Sequence, residues 1–117
     1  MTIKTDEMAR FFKALGDPTR IKLLQLLLSG DSLCVGALAE KLHITQPAVS
    51  QHLKVLKNEG IVMGKRMGFF VHYQLNREIF TKYDIKLKRI LHAEKIDCKT
   101  VKTCPSTSRP RKIGDKK

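Results

Sequence analysis

Cys98 and Cys104 are separated by five residues in the stretch DCKTVKTC, with Lys99 and Lys102 between them. Ammonium groups lower the pKa of nearby thiols and favour the thiolate. A short flexible loop closes two thiolates on one ion at small entropic cost, and thiolates select soft ions. Exposed, easily ionised thiols also oxidise. The pair therefore has three readings: a chelate for a soft ion, a reversible disulfide, or no sensing role. Cys34, the remaining cysteine, stands alone. A free cysteine is commonly a small buried apolar residue, although a place near a helix N-terminus favours its thiolate when exposed. The odd cysteine count argues against a structural disulfide framework.

A different chemistry lies in TQPAVSQHLKVLKNEG, residues 45–60. At helical periodicity Gln46, Pro47, Ser50, Gln51 and Lys54 share one broad face, while Val49, Leu53 and Leu56 lie opposite. The polar face carries short donors and acceptors. Glutamine pairs with adenine N6 and N7, and serine with several base edges. Lysine suits phosphates, which position a protein without specifying sequence. Every surface helix has a solvated face, so this split alone decides little. The charge weighs in: Lys plus Arg number 23 against 11 acids, a net charge of +12. Such an excess favours a polyanion, because each neutralised phosphate releases counterions.

The elements that must position these residues follow from periodicity and punctuation. Met8, Phe11, Phe12 and Leu15 form one apolar stripe, which predicts a helix over residues 6–15. Asp17 and Pro18 are start signals for a second helix from Pro18 to about Leu28. Ile21, Leu23, Leu24, Leu26, Leu27 and Leu28 make it apolar nearly all round, so it reads as the buried central helix. A short helix from Val35 to Leu42 turns Leu38 and Leu42 inward. The tight turn HIT follows, and Thr45 caps the polar-faced helix. Val62, Phe69, Val71 and Tyr73 are strand formers around a turn glycine in RMGF, which predicts a two-stranded hairpin with Lys65 and Arg66 near its tip. Asn76 is the expected cap of a last helix reaching about Glu94, with the stripe Ile79, Phe80, Tyr83, Leu87, Ile90 and Leu91.

The expected fold is mainly α with a small β-hairpin, a winged helix-turn-helix in the order ααααββα. Residues 1–95 form the DNA-binding and dimerisation domain, and residues 96–117 a basic, Cys-containing flexible tail. The candidate DNA-binding set is Thr45, Gln46, Pro47, Ser50, Gln51, His52 and Lys54 on the helix, with Lys65 and Arg66 on the hairpin. His52, at the edge of the polar face, serves phosphate contact or helix packing. No apolar run is long enough to cross a bilayer and no signal peptide is visible, which predicts a cytoplasmic protein without a membrane partner. The sequence holds no Gly-rich phosphate loop and no nucleophile elbow, which argues against an enzyme. Two rivals remain: an interaction module without DNA affinity, and a sequence-neutral, nucleoid-type DNA binder.

The stretches FFKALGDPTRIKLLQLL, SLCVGALAEKLHITQPAVSQHLKVLKNEGIV and GFFVHYQL resemble the ArsR/SmtB family of homodimeric repressors over residues 8–92. His43 stands where the family often has glycine, and His52 matches its S-x-H-L histidine. The resemblance implies a homodimer through the first and last helices, here Met8, Phe11 and Phe12 with Phe80, Tyr83, Leu87, Ile90 and Leu91. It also implies an inverted-repeat, double-stranded DNA operator and release by a metal, metalloid or oxidant. No cofactor is needed for folding. Three family sites can be compared with this chain. At the arsenic-type L-C-V-C-D-L pattern the chain reads Leu33, Cys34, Val35, Gly36, Ala37, Leu38, with the second thiol missing. At the zinc positions of the last helix stand Arg77, Ile79, Ile90 and Ala93, none a ligand. His43, His52, His72 and His92 form no i, i+4 pair. The pair Cys98 and Cys104 is similar to a Cys-x5-Cys pair of arsenite-responsive members, which add a third thiol. Here Asp97 occupies the adjacent place, leaving Cys34, a partner-subunit thiol or solvent oxygen as third ligand. The resemblance thus implies an inducer that is arsenite or another soft metal(loid) ion, with a thiol-redox repressor or a regulator without a metal site as alternatives.

Overall fold

The computed structural model describes residues 4–29, 32–93 and 102. In chain order these form α1 (Thr5–Leu15), α2 (Pro18–Leu27), β1 (Leu33–Cys34), α3 (Val35–Leu42), α4 (Gln46–Asn58), β2 (Val62–Met67), β3 (Phe70–Leu75) and α5 (Arg77–Leu91). The winged helix-turn-helix is as expected, with one addition. Two-residue β1 joins the hairpin, giving a three-stranded antiparallel sheet in the order β1-β3-β2. Leu33 pairs with Tyr73 and Cys34 with His72.

Local chemistry sets the helix ends. The Asp17 carboxylate accepts the Arg20 N–H at 3.1 Å and caps α2, with Pro18 in the first turn. His43 ends α3 in the left-handed region (φ 57, ψ 40), a conformation that histidine tolerates at this position. The Ile44 N–H then donates back to the Ala39 carbonyl at 3.2 Å, which it shares with the His43 N–H. Thr45 Oγ1 accepts from the Ala48 N–H at 3.3 Å and caps α4.

Leu23, Leu27, Leu38, Val49, Leu53, Leu56, Ile61 and Val62 form the fully buried centre, fed by α2, α3, α4 and the start of β2. Phe11 stacks on Tyr83 with centroids 4.0 Å apart, fastening α1 to α5.

Four expectations are corrected. First, α2 is buried on one side only: Ile21 and Leu28 are exposed. They line a groove of about 620 Å³ with Leu75, Arg77 and Phe80, because α3 and α4 cover the opposite side of α2. Second, Phe69 lies in the turn, not in a strand; Gly68 at φ +65 reverses the chain and β3 starts at Phe70. Third, Asn76 precedes α5 but its side chain makes no cap. Its Nδ2 donates instead to the Gly60 carbonyl at 3.0 Å, tying the wing to the end of α4. Fourth, Phe11 and Tyr83 of the expected dimer stripe are buried within the protomer, because they stack on each other. Phe12, Leu87, Ile90 and Leu91 of that stripe are exposed. The last helix also stops earlier than the expected Glu94: α5 ends at Leu91, with His92 as its C-cap. The 96–117 tail, Lys102 excepted, lies outside the described residues.

Candidate nucleic-acid interface

The apolar back of α4 is Val49, Leu53 and Leu56, all essentially inaccessible to water. That anchoring leaves Gln46, Pro47, Ser50, Gln51 and Lys54 exposed on the opposite side. A helix held by its back and open along a polar front is what the major groove admits. Lys65 and Arg66 are exposed on β2. Cross-strand pairing sets Lys65 beside His72 and Arg66 beside Val71.

Two members of the expected set have other contacts. Thr45 is exposed, but its hydroxyl oxygen is engaged as the α4 cap. His52 is half-buried, with Nδ1 3.3 Å from Arg20 Nη1 and 3.9 Å from the Asp17 carboxylate. It therefore serves helix packing in this structure, the second of its expected roles. The hydrogen bond from the Arg20 N–H holds the Asp17 carboxyl below the ordinary carboxylate value, with the Arg20 charge adding to the effect against desolvation. Arg20 also donates through Nε to the Ala14 carbonyl at 2.6 Å. This arginine joins the end of α1, the start of α2 and the middle of α4. Sequence reasoning missed that role; its only local signal was a long donor three residues after the Asp17 cap.

Cys34 is half-buried at the N-cap of α3. With Gly36, Gln46, Phe70 and Tyr73 it lines a cavity of about 300 Å³ between the helix-turn-helix and the wing. A Cβ added at Gly36 would lie 4.0 Å from the Cys34 sulfur. A thiol at position 36 would thus adjoin Cys34, and the glycine there removes the second arm of a chelate. Among the described residues, no group of three or more His, Cys, Asp or Glu side chains is placed to hold a metal ion. Cys98 and Cys104 lie outside the described residues.

The family model described as bacterial regulatory protein, arsR family, matches residues 17–63, from the α2 cap to the start of the wing. The transcriptional repressor SdpR of Bacillus subtilis is 42% identical over 72 residues, covering 62% of this chain and 79% of that protein. The chain belongs to the ArsR family. As an ArsR-family protein it is a DNA-binding transcriptional regulator and not an enzyme. Arsenic resistance transcriptional regulator ArsR1 of Pseudomonas putida is 38% identical over 82 residues, covering 70% of this chain and 64% of that protein. Among solved structures, an ArsR-like transcriptional regulator from Rhodococcus sp. RHA1 superposes with a TM-score of 0.67 at 29% identity, over 73% of this chain and 79% of that one. A homodimeric winged helix-turn-helix DNA-binding domain from Mycobacterium bovis gives 0.59 at 26% identity, over 77% of this chain and 89% of that one. No helix among the described residues is long and apolar enough to cross a membrane.

Proposed function

We propose that this ArsR-family regulator is a homodimeric repressor released from an inverted-repeat operator by a soft metal(loid) ion, with arsenite the foremost inducer. Residues 1–95 form the reading and dimerising domain, and the 96–117 tail carries the switch. The observation behind this reading is the lysine-flanked pair Cys98 and Cys104, the only two cysteines close in sequence. Two thiolates five residues apart in sequence suit a soft ion, and Cys34, a partner-subunit thiol or solvent oxygen supplies the third ligand. Similarity to the arsenical resistance operon repressor of Escherichia coli, 37% identical over 70 residues, supports the choice of arsenite.

Gln46, Ser50 and Gln51 read base edges, while Lys54, Lys65 and Arg66 hold phosphates. Two such units on a two-fold axis demand an operator of matching symmetry. Phe12, Leu87, Ile90 and Leu91, exposed on α1 and α5, meet their counterparts in the partner. Capture of the ion must favour the conformation that does not bind DNA, since a ligand with equal affinity for both shifts nothing.

The test is fluorescence anisotropy on a duplex selected by the reduced protein from a random-sequence pool. Arsenite, zinc and diamide are added in separate titrations at fixed salt, with Cys98→Ser and Cys104→Ser alongside. Arsenite is expected to release the wild-type protein and neither variant. Release by diamide alone would make the pair a redox switch, each disulfide formed giving two electrons and two protons to the diamide. No release by any addition would remove the tail cysteines from the mechanism.

A further inference from the structure

The tip of the wing is apolar. Phe69 is 99% exposed, the most exposed large hydrophobic side chain among the described residues, and Met67, Phe70 and Val71 beside it are exposed as well. Single exposed apolar residues are common on protein surfaces, but a contiguous cluster marks an interaction site. The turn presents this cluster outward. Gly68 has φ +65, and a Cβ built on it would meet nothing within 4 Å, so the tip projects into open solvent. Met67 pairs with Phe70, which leaves Gly68 and Phe69 as a two-residue reversal with the positive φ at its first position.

Two further observations identify what covers the tip. Phe69, Phe70 and Val71 line the same cavity as Gln46 at the start of α4, so the tip continues the surface that faces DNA. Charge also brackets it. Lys65 and Arg66 are consecutive on β2, so they project from opposite faces of the hairpin. A phenyl ring at the tip with one cation on each face matches a groove whose two walls are phosphate. The minor groove, about 6 Å wide, admits a single side chain at the tip but not the hairpin itself.

We propose that Phe69 is an apolar wedge that enters the minor groove beside the segment read by α4 and unstacks a base step there, with Lys65 and Arg66 on the flanking phosphates. This rests on the DNA-binding reading and adds a second source of sequence preference. Apolar wedges of this kind partly unstack and kink the duplex. Pyrimidine–purine steps unstack most readily, so the wedge favours such a step at a position no hydrogen bond reads.

The test uses the full chain and the duplex that it selects from a random-sequence pool, with 2-aminopurine placed singly at each flanking position. Wild-type protein is expected to raise 2-aminopurine fluorescence at one flanking step. Phe69→Ala is expected to abolish that rise and weaken binding about tenfold, the scale of one aromatic–base contact. Because a phenyl ring displaces no counterion, the slope of affinity against salt stays unchanged, whereas Lys65→Ala lowers it by about one. Phe69→Trp is expected to keep both signals, and the exposure of the site makes these variants harmless to folding. Tight binding with no fluorescence change at any flanking position would overturn the proposal, as would wild-type affinity in Phe69→Ala. A change of oligomeric state in Phe69→Ala would reassign the tip to contact between copies. Failure to select any duplex would instead overturn the DNA-binding reading itself.

Discussion

Arg20 Nη1 stands 3.3 Å from His52 Nδ1, across thirty-two residues of sequence. Arginine can only donate, so the histidine nitrogen is the acceptor. The Asp17 carboxylate, 3.9 Å from the same nitrogen, is beyond hydrogen-bond reach. The α4 helix is thereby fastened to the α1–α2 corner by one guanidinium.

Removing that guanidinium should loosen three elements together. Arg20→Ala leaves the half-buried His52 nitrogen and the Ala14 carbonyl without their donor, and is expected to cost about 1–3 kcal/mol in urea unfolding. Arg20→Lys should recover little, because one ammonium cannot reproduce the forked contacts. Full recovery by lysine would show that charge alone matters at this corner.

Acid should weaken the same corner. The Asp17 carboxyl is held below its ordinary value of 3.8, chiefly by the Arg20 N–H. A depressed folded-state pKa gives stability that is present above the unfolded value and lost as pH falls through the folded one. Urea midpoints measured downward from neutral pH should therefore fall below about pH 4. Asp17→Asn should flatten that part of the profile, and an unchanged profile in this variant would assign the acid loss to other carboxylates.

The two sides of α4 should separate stability from binding. Leu53→Ala, at a fully buried site, is expected to cost about 2–5 kcal/mol of stability. Gln51→Ala, at an exposed site, should leave the melting temperature within a degree or so, as surface substitutions do. It should cost about 1–3 kcal/mol of discrimination against the wrong base at one operator position. Thermal melts and binding to single-base operator variants distinguish the two.

Dimerisation should also separate from folding. Ile90→Asp with Leu91→Asp, on the exposed end of α5, should yield a folded monomer by sedimentation, with helical content retained. Phe11→Ala, in the stacked pair with Tyr83, should instead cost about 3–5 kcal/mol of protomer stability. A dimer that survives the double aspartate variant would place the interface elsewhere.

The features legible in the sequence are those with local causes. Asp17 and Thr45 cap their helices through bonds to the residue three places on, and α4 shows its two faces by periodicity alone. The features that were not legible depend on distant partners. Apolar residues all round α2 cannot say which neighbours arrive, so Ile21 and Leu28 read as core. Asn76 offers both a donor and an acceptor, and only the Gly60 carbonyl decides which is used. Two residues of β1 are too few to show a strand period. The exposed polar face of α4 was therefore legible in the sequence, while the Arg20 hub was not.

The short β1 has a mechanical consequence. Cys34 is at once the partner of His72 in the sheet and the residue from which α3 starts. A torque on the wing thus reaches the helix-turn-helix along the main chain, with no side chain as intermediary. Such a joint is insensitive to most substitutions, since changing a side chain leaves its backbone hydrogen bonds in place. Proline is the exception, because it removes the amide hydrogen on which such a joint depends.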